Sequence, residues 1–110
     1  MKEIRTIRTE EMLNEALSLN KAILFKNSLM CGISRHARTE LESFARETEK
    51  DVAIFMIDVI NDRNISMKIA DKTGIRHESP QAIHMEQGVP VWHASHFSIT
   101  KDELEKAVRQ

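Results

Sequence analysis

Tyrosine is absent from this chain; cysteine and tryptophan occur once each, proline twice and glycine three times. Aromatic residues make up 5% of the sequence, too few for the stacking platforms that single-stranded nucleic acid needs. With 16 basic and 17 acidic residues the net charge is -1, so no field draws a polyanion, and nucleic acid is not expected as a partner. The longest apolar run, residues 52–57, is far too short to cross a bilayer. Met1-Lys2-Glu3-Ile4-Arg5 lacks the apolar stretch of a signal peptide, so no membrane association and a cytoplasmic location are expected. One cysteine forbids an internal disulfide and fits a reducing compartment. Any disulfide chemistry must therefore be intermolecular. No repeat or low-complexity tract divides residues 1–110, which suffice for a single domain whose core needs neither disulfide nor metal.

What is present is an alternation of patterns. Residues 4–7 read as a short strand, and Thr9 as an N-cap before Glu10 and Glu11, whose charges suit the positive end of a helix dipole. A helix is predicted over 10–19, with Met12, Leu13, Ala16 and Leu17 as its buried stripe and Asn20 as its stop. Ala22-Ile23-Leu24-Phe25, within Lys21 to Lys26, is the continuous apolar run of a strand covered on both faces. Ile33, Ala37, Leu41, Phe44 and Ala45 then recur at helical spacing, so a helix starts near Cys31. Val52 to Ile57, continuing into Asp58-Val59-Ile60, reads as another central strand, and Ile65, Ile69 and Ala70 mark a helix ended by Gly74.

The last third departs from this alternation. Gln81 to Gln87 and Val89 to Ser95 are separated only by a turn around Gly88, so they pair as an antiparallel hairpin. Pro90 places the second run at a sheet edge, where a missing N–H faces no partner. Thr100-Lys101-Asp102-Glu103 has the form of a capping box, with Ile99 and Leu104 as a hydrophobic staple and Leu104, Ala107 and Val108 as the buried stripe of a closing helix. The fold class is α/β, in the order β-α-β-α-β-α-β-β-α, with a central mixed sheet and helices on both faces.

Cys31 is the focus of the functional reading, and its residue type leaves two roles open. A free cysteine is often a small apolar filler, yet at the start of a helix its thiolate is stabilised by unpaired N–H groups. Ser34, three residues on, either donates a hydrogen bond toward the sulfur or caps backbone. The element order, with a cysteine opening the second helix and Ser79-Pro80 before the final hairpin, resembles the thioredoxin fold. There Cys31-Gly32-Ile33-Ser34 stands in the place of the Cys-x-x-Cys motif. The resemblance implies that Pro80 is cis and lies opposite the nucleophile, with the Ser79 backbone open to pair with a client segment. Arg76-His77-Glu78-Ser79-Pro80-Gln81-Ala82, the following hairpin and Val91-Trp92 are similar to the monothiol bacilliredoxins. Their active-site stretch reads Thr-Cys-Pro-Ile-Ser where this chain has Met30-Cys31-Gly32-Ile33-Ser34, so Gly32 departs from the pattern.

That resemblance implies a monothiol oxidoreductase in which Cys31 removes bacillithiol from mixed disulfides on client proteins. Bacillithiol is then a co-substrate, no cofactor is bound, and another thiol molecule or a separate reductase clears Cys31. Lys26, Arg35 and Arg76 read either as solvated basic residues or as contacts for a carboxylate of the small thiol. His77, near the proline loop, is a candidate substrate contact, and Met30 an exposed apolar contact for clients. No metal site is expected: His93 and His96 fall on opposite faces of an extended strand, and further ligands are not at recognisable spacing. His36 turns away from the sulfur on its helix, and Met56 and Met67 read as core. Two other functions remain open. Cys-Gly-Ile-Ser also looks like the Cys-Gly-Phe-Ser of monothiol glutaredoxins, which carry an iron–sulfur cluster, although Ala94-Ser95-His96-Phe97 stands where their Gly-Gly pair is expected. The other is a non-catalytic thioredoxin-like binding module with an incidental thiol.

Overall fold

The computed structural model describes residues 1–29 and 31–108, so the contact expected of Met30 lies outside the described residues. Its elements are β1 (Ile4–Thr6), α1 (Glu10–Leu17), β2 (Lys21–Asn27), α2 (Gly32–Glu47), β3 (Ala53–Asp58), α3 (Arg63–Thr73), β4 (Gln81–Glu86), β5 (Val89–Ser95), a 3-10 turn at His96–Ser98 and α4 (Lys101–Ala107). The five strands form one mixed sheet in the order β1-β3-β2-β4-β5, with β1, β3 and β2 parallel and β4 and β5 antiparallel. Apart from the 3-10 turn, this is the order expected of a thioredoxin fold.

β2 is the middle strand, and its alternation divides the core. Ile23 and Phe25 point into a cluster with Ala37, Leu41, Phe44 and Ala45 of α2 and Leu104 of α4. Ala22 and Leu24 point the other way, toward Leu13 and Ala16 of α1 and Ile65 and Ile69 of α3. A strand buried on both faces needs a continuous apolar run, which is why Ala22 to Phe25 carries no polar residue. Each of the isoleucine, leucine and phenylalanine side chains among them contributes roughly 1.5–3 kcal/mol when fully buried. Because α2 covers one face and α3 the other, the chain leaves β2 and β3 in opposite directions at their carboxyl ends.

Local chemistry sets the element ends. Thr9 Oγ1 accepts from Met12 N at 3.1 Å and Thr100 Oγ1 accepts from Glu103 N at 3.1 Å, the two N-caps expected from the sequence. Gly74 ends α3 in the left-handed conformation, at φ 73°. Gln87 and Gly88 both have positive φ, 51° and 79°, the pair that a tight hairpin turn of matching twist requires. Pro90 lies on edge strand β5, and a bulge opposite His84 and Met85 interrupts the pairing beside it.

Several boundaries differ from expectation. The helix read over 10–19 stops at Leu17, because Ser18 turns the chain by donating its Oγ–H to Glu15 O at 2.6 Å. β1 ends at Thr6, although Ile7 beyond it is fully buried. Val59 and Ile60 do not extend β3. Asp58 Oδ1 accepts from the amides of Ile60 and Asn61, at 2.9 and 3.2 Å, which bends the chain into a turn. Met12 and Met67, read as core, are each 38% exposed, since both lie at the margin of their helix's buried stripe. Ala107 is only half-buried, whereas Val108 just past α4 is buried.

Candidate active site

Cys31 is the N-cap of α2, with extended backbone angles of φ -117° and ψ 127°. Its N–H donates to Ser28 O at 3.3 Å, closing a turn, and its carbonyl accepts the first helical bond from Arg35 N at 3.2 Å. The helix therefore opens beneath the sulfur. As a thiol, Cys31 makes no side-chain capping bond. As a thiolate it is favoured first by the Ser34 amide, then by the Ile33 amide, with the Ser34 hydroxyl adding to them; together they outweigh partial burial and lower the pKa below the ordinary thiol value. No acidic residue occupies the first turn of α2 to oppose that charge.

Ser34 is fully buried, and its Oγ accepts from Ser28 N at 3.2 Å. One hydroxyl thus braces the turn before Cys31 while its proton is free to point toward the sulfur. Gly32 is exposed, and a Cβ built there meets nothing within 4 Å, so space does not dictate glycine.

The Ser79–Pro80 peptide bond is cis, as the resemblance implied. Pro80 is buried, and its carbonyl accepts from His96 N at 3.0 Å, which ties this loop to the 3-10 turn after β5. Gln81 Nε2 donates to Arg76 O at 2.9 Å, and Ser95 Oγ donates to Glu78 Oε2 at 2.6 Å. Arg76 and Arg35 are exposed, and the Ser79 hydroxyl oxygen is buried without a partner among the described residues.

Lys26 requires correction. It is not a solvated cation: it has no exposed surface, because it lies on the middle strand between Ile57 and Gln81. Its Nζ is 3.0 Å from His77 Nδ1, and burial lowers its pKa to about 8. Burial, followed by the nearby charges of Lys26 and Arg63, lowers the His77 pKa as well. A neutral imidazole then accepts a hydrogen bond from the Lys26 ammonium at Nδ1, and His77, half-buried, covers the ammonium from outside.

His36 stacks at a tilt on Phe97, ring centres 5.7 Å apart, which places the 3-10 turn against the first turns of α2. Phe97 remains 64% exposed and Leu29, two residues before the thiol, 60% exposed. His93 lies on β5, while His96 begins the 3-10 turn at φ 56° and is not on the strand. Among the described residues no group of three or more His, Cys, Asp or Glu side chains comes together to hold a metal. The sequence reading passed over Asn27, Ser28, Gln81 and Phe97. Asn27 and Gln81 carry a recognisable signal, since polar residues at the end of a fully buried strand have to be there for a reason other than packing.

A lone thiol at the N-terminus of a helix, on this sheet and beside a cis-proline loop, defines a thioredoxin-fold protein with thiol–disulfide redox function. Within that class the chain belongs to the monothiol bacilliredoxin family: the family model described as Monothiol bacilliredoxin BrxC matches residues 2–104. Among solved structures, a thioredoxin-fold protein provisionally described as an oxidoreductase is 27% identical, with a TM-score of 0.89 over 96% of this chain and 94% of that one. A thioredoxin from Trypanosoma brucei brucei is 17% identical, with a TM-score of 0.80 over 97% of this chain and 88% of that one. A mutant thioredoxin from Halobacterium salinarum NRC-1 is 18% identical, with a TM-score of 0.77 over 96% of this chain and 88% of that one. The two thioredoxins speak to the fold alone. Among the described residues no helix is long and apolar enough to cross a membrane.

Proposed function

We propose that Cys31 acts alone to remove bacillithiol from mixed disulfides on client proteins. The observation that carries this reading is the placement of the chain's one cysteine at the N-cap of α2, where the amides of Ser34 and Ile33 favour the thiolate. The Cys31 thiolate attacks the bacillithiol sulfur of the mixed disulfide. A Cys31–bacillithiol bond forms as the client's S–S bond breaks, and the client cysteine leaves as a thiolate that takes a proton from water. No second cysteine is available to resolve the adduct, so a free thiolate from another small thiol or a separate reductase attacks it and returns Cys31 as a thiolate. With a second bacillithiol as attacker, the product is bacillithiol disulfide, and no bound cofactor takes part.

Ser34 and Gly32 shape the turn and helix start under the sulfur, while Ser79 and Pro80 face the client backbone, which adds there as a short strand. Arg76 and His77 form the outer wall of that side. Leu29 and Phe97 offer exposed apolar surface for a client chain. The test is to incubate a bacillithiolated protein with this chain and with Cys31→Ser, and to follow both partners by intact mass. The expected result is loss of the adduct from the client with a matching gain on Cys31; equal loss with the serine variant would overturn the reading.

A further inference from the structure

A cavity of about 250 Å3 opens at the carboxyl ends of β1, β2 and β3. Its apolar lining is Leu29 and Met56, and its polar lining includes Thr6, Arg8, Asn27 and Asn61. The strand register pairs Thr6 with Met56 and Asn27 with Asp58, and Met56 packs on the cluster that α2 covers. Paired residues of adjacent strands share a face, so the cavity lies on the side of the sheet from which α2 and its N-cap Cys31 rise. This is also where the chain leaves β2 and β3 in opposite directions, the crevice at which open α/β sheets bind ligands. Three larger depressions, of about 460, 490 and 270 Å3, include no residue of 26–34 or 76–80 among those lining them and are not placed to serve the thiol.

Two observations point to an occupant. Asn27 is 2% exposed, and its Oδ1 has no hydrogen-bond partner among the described residues. A buried carbonyl oxygen of this kind calls for an N–H or O–H donor. Arg8 is exposed and makes no ion pair or hydrogen bond among the described residues, leaving a guanidinium at the cavity rim that suits a carboxylate. The one acidic residue in the lining, Asp58, is engaged in its own turn, accepting from Ile60 N, Asn61 N and Asn61 Nδ2. Water occupies about 30 Å3 per molecule in the liquid, so the space equals roughly eight waters and fits the polar end of a small molecule.

We infer that this cavity seats the carboxylate-bearing, hydrogen-bond-donating end of a low-molecular-weight thiol while that thiol's sulfur meets Cys31. The inference rests on the reading of Cys31 as the exchange thiol. Leu29, two residues before Cys31, lines the cavity, so a ligand held at Arg8 extends past Leu29 toward the sulfur. Lys26, on the opposite face and covered by His77, does not contribute.

S-methyl bacillithiol and S-methyl glutathione, which cannot form disulfides, are titrated separately at millimolar concentration into the full chain carrying Cys31→Ser, with backbone amide shifts followed by NMR. Shifts at Arg8, Leu29 and Asn61 are expected. Arg8→Ala is expected to weaken binding about tenfold to a hundredfold, as for loss of a charged hydrogen bond. Arg46→Ala, on the last turn of α2, serves as the control that leaves affinity unchanged. Binding of the bacillithiol derivative alone, the glutathione derivative alone, or both supports the cavity and identifies the source of the carboxylate. Shifts confined to residues 76–81, or no shifts with either ligand, overturn it. The client assay above separates the two claims: adduct removal without cavity shifts overturns only the cavity, and cavity shifts without removal overturn only the exchange reading.

Discussion

Lys26 Nζ lies 3.0 Å from His77 Nδ1, and this contact joins the strand leading to Cys31 with the segment that carries cis Pro80. The two residues are 51 positions apart, so the bond clamps together the two pieces of chain that flank the thiol. A fully buried ammonium with one imidazole partner carries a desolvation penalty that the clamp has to offset, and that penalty depends on pH.

Burial lowers the Lys26 pKa from 10.5 to about 8. Between those values the unfolded chain holds more protons than the folded one, so this group makes stability rise with pH across that window. Below about 8 its penalty is fully present, about 3 kcal/mol. Lys26→Met replaces the charge with an apolar chain of similar length, and is expected to raise stability at pH 7 by about 1–3 kcal/mol, an advantage that shrinks as pH approaches the unfolded value. Urea denaturation of both chains at neutral and alkaline pH checks this. A difference independent of pH would mean that packing, not desolvation of the ammonium, governs the site.

The same residue shows where sequence reasoning stops. The run Ala22 to Phe25 announces a doubly covered strand because burial on both faces admits only apolar side chains, but whether the Lys26 side chain is covered depends on a partner 51 residues away. A lysine at a strand end is ordinarily solvated, and only the sheet order, with β2 in the middle, removes that choice. Caps were legible for the opposite reason: Thr9 and Thr100 act on residues three positions on, so the pattern and the bond occupy the same short stretch. Cys31 was legible as a helix start, whereas the cavity beside it is assembled from the ends of three strands and the segments after them and has no contiguous signature.

Gly32 is the position at which the chain departs from the bacilliredoxin pattern, and the structure accepts the family's proline. It is the first residue of α2, where a missing N–H interrupts no helical bond. Cys31 before it already holds φ -117° and ψ 127°, the extended conformation that a following proline imposes. With no atom within 4 Å of a Cβ, Gly32→Pro is expected to stabilise the chain by about 0.4–1 kcal/mol through the unfolded state. Thermal or urea unfolding measures it; a loss of stability would show that the loop before α2 needs glycine for a reason other than space.

Phe97 leans on His36 with one side of its ring and leaves 64% of its surface in solvent. The His96–Pro80 bond fixes its turn beside the cis-proline loop. If a client chain crosses between Pro80 and Cys31, Phe97→Ala removes apolar contact for the protein but little for a small disulfide. Exchange with a bacillithiolated protein is expected to slow about threefold to tenfold more than exchange with a small symmetric disulfide, the equivalent of losing roughly 1 kcal/mol of contact. Equal slowing of both would assign Phe97 to support of α2 instead.

Ser34 links the chemistry of the thiol to the stability of its turn, and the two can be measured apart. Its amide is the largest influence lowering the Cys31 pKa and survives substitution, while its hydroxyl is the smaller one and does not. Ser34→Ala is therefore expected to move the midpoint of alkylation rate against pH upward but still below the ordinary thiol value. It also leaves Ser28 N without the acceptor at 3.2 Å, costing about 1 kcal/mol in urea denaturation. Ser34→Thr keeps the hydroxyl and should hold the midpoint even if the added methyl costs stability in this fully buried place. A midpoint that follows stability across the two variants, and not the hydroxyl, would assign Ser34 to bracing the turn alone and leave thiolate stabilisation to the helix amides.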